Sequence, residues 1–338
     1  MLRFQNDYSE GAHPNVLRAL CDTNLSATPG YGLDDDCRRA ADAIRARFAC
    51  PEADVHFLVG GTQTNQLAAA AFLRPWEAMV AADTGHVNVH ETGAIEATGH
   101  KVCTVESPDG KLTPALVESV LAGHNGTEHM VLPRMVYISD TTEIGTVYTR
   151  AELAALRQCC DVHGLFLYLD GARLGYGLMS PETDVTLADV VELTDLFYIG
   201  GTKVGALCGE ALVFTKHNMP KHFLTSVKQH GALLAKMRVV SQQFDALFTD
   251  NLYFEISRHA LDLAMKIKHA CLDKGYELLM DSPTNQQFPI LTKEQMEKLR
   301  ENVQFNLWQW MEDGRVAIRL ATSWATKEED VEELISLL

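Results

Sequence analysis

The stretch of sequence that decides the fold is Leu196-Phe197-Tyr198-Ile199-Gly200-Gly201-Thr202-Lys203-Val204-Gly205. Its first half completes an apolar run that predicts a buried strand at residues 195–199, and a lysine follows in a glycine-rich turn. Lysines normally occupy exposed helix faces, whereas glycines let the backbone pass close to a bulky ligand. A desolvated lysine has a lowered pKa and can act as a nucleophile. Lys203 is therefore a candidate nucleophile, and a surface lysine in a flexible loop is the alternative.

The preceding predicted strand ends in an acidic residue. The apolar run at 165–169 is followed by Asp170-Gly171-Ala172-Arg173, which places an aspartate at the edge of the sheet. Burial alone would raise the pKa of that carboxyl, and a cationic partner would keep it ionised. Asp170 is thus a candidate to pair with a cationic ligand. The alternative is a cap for the following helix.

A third candidate lies earlier, in the turn Val59-Gly60-Gly61-Thr62-Gln63. A glycine-rich turn that opens a helix presents free backbone N–H groups to an anion, and the helix dipole favours negative charge there. A tight turn that simply needs glycine is an equally good interpretation. Neither the Walker nor the dinucleotide-binding pattern is present.

Apolar strand patterns alternate with helical patterns through most of the chain, which predicts an α/β fold with a mostly parallel sheet between helices. After about residue 251 a long helix and a hairpin predict a smaller α+β domain, since Asp313-Gly314 is a strong turn signal. We expect a large domain at 1–250, with 1–30 at an interface, and a small domain at 251–338. The predicted strands are 55–59, 78–82, 135–139, 165–169, 195–199, 211–215, 286–291, 305–310 and 315–322, and the predicted helices are 63–73, 150–163, 254–274, 293–302 and one from 327.

The three candidates are more specific as an ordered set than singly. An anion-binding turn, then Asp170, then a glycine-flanked lysine after the next strand is the layout of a pyridoxal 5′-phosphate (PLP) site on a parallel sheet. The aspartate would pair with the pyridinium nitrogen, and Lys203 would carry the aldehyde as a Schiff base.

The chain resembles the threonine aldolases and β-eliminating lyases, which are fold type I PLP enzymes of the aspartate-aminotransferase-like superfamily. The resemblance runs from about Phe4 to Trp324. The segments that carry it are Tyr31-Gly32-Leu33-Asp34-Asp35-Asp36, Gly61-Thr62-Gln63, His86 with Glu91, Asp170-Gly171-Ala172-Arg173, Gly200-Gly201-Thr202-Lys203 and Arg319-Leu320-Ala321-Thr322.

The resemblance implies roles for these residues. Two arginines, Arg173 and Arg319, would hold the substrate carboxylate, a task that suits the guanidinium fork. His86 would stack on the ring, and Lys228 would reach the phosphate of a neighbouring subunit. The implied cofactor-binding residues are Gly61, Thr62, His86, Asp170, Arg173, Thr202, Lys203 and Lys228.

The chain departs from its relatives at two places. Asn6-Asp7-Tyr8 stands where relatives often have Ser-Asp-Thr, and Asn6 is taken as a substrate-binding candidate. Glu143, in Thr142-Glu143-Ile144-Gly145, stands where many threonine aldolases have a histidine near the substrate side chain. The catalytic candidates are Lys203, His86, Asp170 and Glu143, and the base is Glu143, His86 or an ordered water.

His86 and His90 lie four residues apart, with Glu91 beside them. In zinc proteases the glutamate directly follows the first histidine, and here it follows the second. We therefore expect no metal, and we expect His90 to be a satisfied structural histidine.

Charge and cysteine content restrict the partners and the location. The formal net charge of −16 argues against a nucleic-acid or anionic-membrane partner. The eight cysteines show no CxxC spacing, so reduced, mostly buried thiols in a cytoplasmic protein are expected. The resemblance also implies a homodimer or homotetramer with sites at the subunit interface.

These observations favour a PLP-dependent aldolase that cleaves the Cα–Cβ bond of a β-hydroxy-α-amino acid such as L-threonine or L-allo-threonine, giving glycine and acetaldehyde. A different PLP reaction on a small amino acid, such as β-elimination or racemisation, is the first alternative. A binding or structural role without catalysis is the second.

Overall fold

The computed structural model describes residues 1–124 and 126–338, and short strands are distributed along the chain. The described part of the chain contains fourteen strands, which are β1 (Leu2–Arg3), β2 (Asp54–Leu58), β3 (Glu77–Ala82), β4 (Lys101–Val105), β5 (Leu132–Ser139), β6 (Phe166–Asp170), β7 (Leu196–Gly200), β8 (Glu210–Phe214), β9 (Glu277–Leu278), β10 (Gln286–Gln287), β11 (Pro289–Leu291), β12 (Val303–Gln304), β13 (Asn306–Trp310) and β14 (Val316–Ala321).

Helices separate most of these strands. The described residues form thirteen α-helices, which are α1 (Pro14–Thr23), α2 (Asp35–Arg47), α3 (Gly61–Phe72), α4 (His86–Val89), α5 (Pro114–Gly123), α6 (Arg150–His163), α7 (Leu174–Met179), α8 (Leu187–Leu193), α9 (Phe223–Gln229), α10 (Arg238–Phe248), α11 (Leu252–Asp273), α12 (Lys293–Arg300) and α13 (Glu328–Leu337).

The limits of α6 coincide with the predicted 150–163 because local side chains define both of its ends. At the start, Thr149 and Glu152 form a capping box, in which each side chain accepts a hydrogen bond from the backbone N–H of the other residue. At the end, Gly164 has φ 64°, a left-handed conformation that glycine adopts without steric cost.

The central sheet has seven strands in the order β2-β8-β7-β6-β5-β3-β4. β8 runs antiparallel to both of its neighbours, and the other pairings are parallel. The predicted mostly parallel sheet is therefore confirmed. Because parallel strands end at the same edge, the last residues of β5 and β6, Ser139 and Asp170, lie side by side there.

Alternate residues of the central strands enter two different cores, one on each face of the sheet. Leu167 and Leu169 of β6 belong to one hydrophobic cluster, while Tyr168 belongs to the other. Tyr137 and Tyr198 lie on the same face as Tyr168, and the ring centres along this tyrosine row are 5.8 and 6.5 Å apart. Burial on both faces explains why these strands appear in the sequence as continuous apolar runs.

The C-terminal part of the chain forms a second, smaller sheet in the order β10-β14-β11-β9, with β13 paired to β14. The predicted hairpin is present, since β13 and β14 are antiparallel. The single strand predicted at 286–291 is wrong, because it is interrupted between β10 and β11. The pairing register with β14 is the same on both sides of the gap, and Pro289 there has no N–H to donate.

Both ends of the described chain meet in this second sheet region. Leu2 and Arg3 pair in parallel with β12, and Phe4 is buried in the same hydrophobic cluster as Ile318. The start of the chain thus packs with the C-terminal elements, while the division at residue 250 stays a prediction.

Two further observations concern the surroundings of the protein. Within residues 1–124 and 126–338, none of the helices has the length and apolar character needed to cross a bilayer. All eight cysteines are free thiols, six of them buried.

Candidate active site

Asp170 is the last residue of β6, and its buried carboxylate is held by three donors. Oδ2 accepts hydrogen bonds from the Tyr137 hydroxyl (2.6 Å) and from Asn65 Nδ2 (3.1 Å). Oδ1 accepts from the backbone N–H of Ala172 (3.0 Å). No lysine or arginine of the described chain forms an ion pair with this carboxylate, so a buried anion is left for a cationic ligand to neutralise.

Asn65 on α3 connects Asp170 to His86. Its Nδ2 also donates to Glu91 Oε1 (2.7 Å), and its Oδ1 accepts from the Tyr168 hydroxyl (2.7 Å). The same Glu91 oxygen lies 2.7 Å from His86 Nδ1. Burial lowers the pKa of His86, but the hydrogen bond to Glu91 and nearby carboxylates outweigh burial and raise it. Glu91 therefore fixes the orientation of the ring and favours its protonated form.

The turn after β7 brings Lys203 to the same edge of the sheet. Thr202 Oγ1 donates to Glu210 Oε1 (2.9 Å), and the Tyr176 hydroxyl donates to the backbone oxygen of Lys203 (2.7 Å). Burial first, and the charge of Arg173 second, lower the pKa of Lys203. A lowered pKa increases the fraction of neutral amine, which is the nucleophilic form.

The Gly60-Gly61-Thr62 turn lies across the cleft from this lysine, at the start of α3. A cleft of about 200 Å³ is lined by Gly61, Thr62, His86, Thr202 and Lys203 among others. A side chain at position 61 would begin 3.0 Å from the Tyr198 hydroxyl, so glycine is needed there for the close approach. The glycine turn, Lys203 and His86 thus line one cleft, and Asp170 is hydrogen-bonded to Ala172, which also lines it.

Arg173 lies close enough to Lys203 to act on it through its charge, but its guanidinium is already bound by Asp7. Its Nε and Nη2 donate to the two Asp7 oxygens at 2.7 and 3.0 Å, and both side chains are buried. Burial would raise the pKa of Asp7, but the charges of Arg173 and Lys203 hold it well below the usual range. Asn285 Nδ2 also donates to Asp7 (3.0 Å). The expected free guanidinium fork is therefore occupied on one side, and Nη1 remains, 3.8 Å from Glu143 Oε2.

Arg319 enters from β14 with fewer partners. Its Nη1 donates to Gln286 Oε1 (3.1 Å) and its Nη2 to the backbone oxygen of Gln5 (3.2 Å). Its Nε is buried without a hydrogen-bond partner in the described structure. Burial, followed by the charge of Arg173, lowers the pKa of Arg319. Such a cation is short of an acceptor, and a ligand carboxylate would supply one.

Within the described chain, the side chains of three further predicted residues form no hydrogen bond to the residues above, although Asn6 lies between Gln5 and Asp7, which bond to Arg319 and Arg173. Asn6 accepts hydrogen bonds from the Tyr8 N–H (3.0 Å) and the Ser9 hydroxyl (2.8 Å), a local turn. Lys228 is exposed on α9, with Nζ 4.9 Å above the Tyr31 ring. His90 is exposed beside His86, and its expected role as a satisfied structural histidine stays a prediction.

Five residues that are not predicted from the sequence also build the site, and they act on the candidates through hydrogen bonds. Asp7, Asn65, Tyr137, Glu210 and Asn285 are all buried. A polar residue in an otherwise apolar strand, as Glu210 is at the start of β8, is the one local signal that marks such a position.

The fold and the cleft together define a class of protein, the fold type I PLP-dependent enzymes. Serine palmitoyltransferase from Sphingomonas wittichii superposes with a TM-score of 0.74 at 13% identity, covering 99% of this chain and 85% of that one. Aspartate aminotransferase from Thermus thermophilus gives 0.74 at 15%, covering 100% and 90%. At such identities the likeness is one of fold.

Within that class, this chain belongs to the beta-eliminating lyase family, whose model matches residues 14–324. It is thus a PLP-dependent lyase. A low specificity L-threonine aldolase from a Pseudomonas species is 31% identical, over 98% of this chain and 95% of that protein. The structure of a threonine aldolase from Leishmania major superposes with a TM-score of 0.97 at 45% identity, covering 100% of this chain and 98% of that one.

The residues of the cleft fit PLP. The unpaired carboxylate of Asp170 matches a protonated ring nitrogen, and Lys203 has the lowered pKa that attack on an aldehyde requires. The N-terminus of α3, twelve residues long, offers backbone N–H groups to a phosphate.

Proposed function

We propose that the chain is a PLP-dependent aldolase that cleaves the Cα–Cβ bond of L-threonine or L-allo-threonine to glycine and acetaldehyde. The observation that carries this proposal is that Glu143 lies close enough to act through its charge on both Lys203 and Arg319, in a chain 31% identical over 98% of its length to a low specificity L-threonine aldolase. Glu143 lies close enough to raise the pKa of both Lys203 and His86.

The cofactor would be held by residues at or after the ends of four strands, β2, β3, β6 and β7. Lys203 would bind it covalently, Asp170 would keep its ring nitrogen protonated, and His86 would stack on the ring. Gly61, Thr62 and Thr202 would bind the phosphate. PLP, when bound, supplies an electron-withdrawing ring that accepts the electron pair of the broken bond.

Arg319 and the free Nη1 of Arg173 would bind the substrate carboxylate and so orient the Cα–Cβ bond for cleavage. Orientation of this kind can contribute ~7–11 kcal/mol to lowering a barrier. Support comes from the unpartnered, buried Nε of Arg319 and from the bond of Asp7 to the other edge of Arg173. Asp7 would hold Arg173 in place and would not contact the substrate.

Glu143 would act as the base that removes the β-hydroxyl proton, with His86 as the alternative. Glu143 is buried, and its Oε2 is 3.8 Å from Arg173 Nη1, which places a proton acceptor beside the proposed carboxylate site. Glu143→Gln is expected to reduce cleavage ~10²–10⁴-fold, the usual contribution of general base catalysis. Full activity of that variant at every pH would shift the assignment to His86.

The reaction is tested with purified protein, PLP and each threonine diastereomer. Acetaldehyde and glycine in equal amounts, lost in Lys203→Ala, are the expected result. Exposed Lys327→Ala is the control and should retain the rate. Ammonia with 2-oxobutanoate would identify β-elimination, and appearance of the other enantiomer would identify racemisation. Either outcome in place of acetaldehyde would contradict the aldolase proposal.

A homodimer or homotetramer would complete the site, with Lys228 reaching the phosphate of a neighbouring subunit. Apolar residues near Tyr31 support this, since Leu25 and Leu33 are 95% and 67% exposed. Sedimentation of the purified protein tests it, and a monomer at micromolar concentration would contradict it. We also propose a cytoplasmic location, which the eight free thiols support.

A further inference from the structure

Glu210 is a buried carboxyl at the point where two strands end. It is the first residue of β8 and is 4% exposed. Its backbone pairs with Leu58, the last residue of β2, and with Gly200, the last residue of β7. The glycine turn and the lysine turn leave the sheet from these two strand ends, so Glu210 lies between them.

Its carboxylate fixes the two residues that precede Lys203. Oε2 accepts a hydrogen bond from the Gly201 N–H (3.1 Å), and Oε1 accepts one from the Thr202 hydroxyl (2.9 Å). That hydroxyl in turn accepts from the Gly209 N–H (3.1 Å). The position of Lys203 therefore depends on the carboxylate of Glu210. Glu210 also lines the cleft.

No ion pair neutralises this acid in the described part of the chain. The titratable groups that act on Glu210 are Lys203 and Asp170, and it in turn acts on the phenols of Tyr168, Tyr198 and Tyr253. Burial raises the pKa of Glu210 to about 8, against the opposing effects of Thr202 and Lys203. The carboxyl is thus mostly neutral at pH 7 and mostly charged at pH 9.

We propose that Glu210 is a positioning residue for the lysine turn and that it takes up one proton from solvent when the phosphate of PLP enters the cleft. A phosphate dianion beside Gly61 and Thr62 would repel a second anion across the cleft, and a neutral carboxyl removes that repulsion. This inference rests on the phosphate placement proposed above, and it does not depend on which substrate bond is cleaved.

The proposed proton uptake makes affinity for the cofactor depend on pH in a defined direction. Below about pH 7 the carboxyl already holds its proton, so cofactor binding takes up none. At higher pH the proton must be acquired, and affinity for the cofactor falls by up to about tenfold per pH unit for a single linked proton. Glu210→Gln removes this dependence, because its amide can accept from Gly201 and donate to Thr202 while carrying no charge.

Calorimetry counts the proton directly. The full chain, freed of cofactor, is titrated with pyridoxamine 5′-phosphate, which carries the phosphate but no aldehyde to react with Lys203. Buffers of different ionisation enthalpy give the number of protons taken up. At about pH 8.5 the unaltered protein is expected to take up at least half a proton more than Glu210→Gln, and at pH 6.5 the two should agree. Glu297→Gln, an exposed control, should match the unaltered protein at both values.

Three outcomes would overturn the proposal. Equal uptake by the unaltered protein and Glu210→Gln at pH 8.5 would show that Glu210 does not titrate on binding. An excess that persists with pyridoxamine, which lacks the phosphate, would assign the proton to the ring or amine. Failure of the unaltered protein to bind pyridoxamine 5′-phosphate would instead refute the placement of the phosphate beside Gly61 and Thr62. The acetaldehyde assay described above tests the aldolase proposal separately.

Discussion

Arg173 and Arg319 belong to different parts of the fold but lie close enough for the charge of one to act on the other, and the groups that contact them differ in charge. Arg173 follows a strand of the central sheet, and the carboxylate of Asp7 binds it through two nitrogens. Arg319 belongs to the smaller sheet, and its partners are the neutral oxygens of Gln286 and Gln5. The protein thus supplies a carboxylate to Arg173 but leaves Arg319 with an N–H group that has no acceptor among the described residues. Arg173 is therefore largely held by the protein, with only Nη1 left for a ligand, whereas no carboxylate of the described chain is bonded to Arg319.

The largest effect on stability should come from removing Arg173, the arginine that Asp7 already binds. Arg173→Met leaves Asp7 buried without its partner, which typically costs ~3–5 kcal/mol in the free energy of unfolding. Urea denaturation measures this loss. The control is Arg38→Met, because Arg38 pairs with Asp35 on an exposed helix surface and should change stability by less than ~1 kcal/mol. Similar losses in the two variants would mean that the buried Asp7–Arg173 pair stabilises the protein no more than the exposed Asp35–Arg38 pair.

A substitution at Arg319 should instead affect substrate binding more than stability. Arg319→Lys keeps the charge but loses the fork, and hydrogen bonds to charged groups contribute ~1.5–3 kcal/mol. We expect KM for L-threonine to rise roughly 10- to 100-fold, while the free energy of unfolding changes little. Steady-state kinetics alongside urea denaturation gives both quantities. Arg315→Lys, just before the same strand, should leave KM unchanged. A large loss of stability with normal KM would make Arg319 structural.

The pH dependence of stability sharpens the contrast further. The pKa of Asp7 is held below its usual range in the folded protein, so its contribution is fully present above the ordinary value of about 3.9 and is lost as pH falls through and below it. The difference in unfolding free energy between the unaltered protein and Asp7→Asn should therefore be constant from pH 7 to about pH 5 and should narrow by roughly 1 kcal/mol by pH 3. A constant difference between pH 7 and 3 is the result that would count against the Asp7–Arg173 pair.

The smallest effect should arise where Arg319 lies 5.4 Å above the ring of Trp308. Loss of a cation–π contact of this kind costs ~0.5–1 kcal/mol. Trp308→Leu should therefore raise KM about two- to fivefold. Trp310→Leu is the matched control on the same strand, because Trp310 is 54% exposed. Equal kinetics for the two variants would mean that the ring does not hold the guanidinium in place.

Six of the seven central strands are predictable from sequence, and the five interior ones appear as apolar runs because both of their faces are buried. The seventh, Lys101–Val105, lies at the sheet edge. Its lysine and threonine are exposed, so the run is too polar to predict a buried strand. The interruption at Phe288-Pro289 was likewise missed, since the flanking residues alone favour one continuous strand.

The site was predictable where a residue and its local motif suffice, as for Lys203, Asp170 and the Gly61 turn. The partners that tune these residues were not. Asn65 bonds to Asp170 105 positions away, and Asp7 bonds to Arg173 166 positions away. Such pairings depend on which strands become neighbours in the sheet, and a single sequence carries no local pattern for that.

The hydrogen bond from Asn285 to Asp7 spans 278 positions of the chain, and this has a consequence for biosynthesis. Asp7 leaves the ribosome before every other residue of the cleft, and Arg319 leaves after all of them. At ~5–20 residues per second, Asp7 waits roughly 15 to 60 s for Asn285 to be made. In a nascent chain the contact between Asp7 and Asn285 therefore forms only when translation is nearly complete.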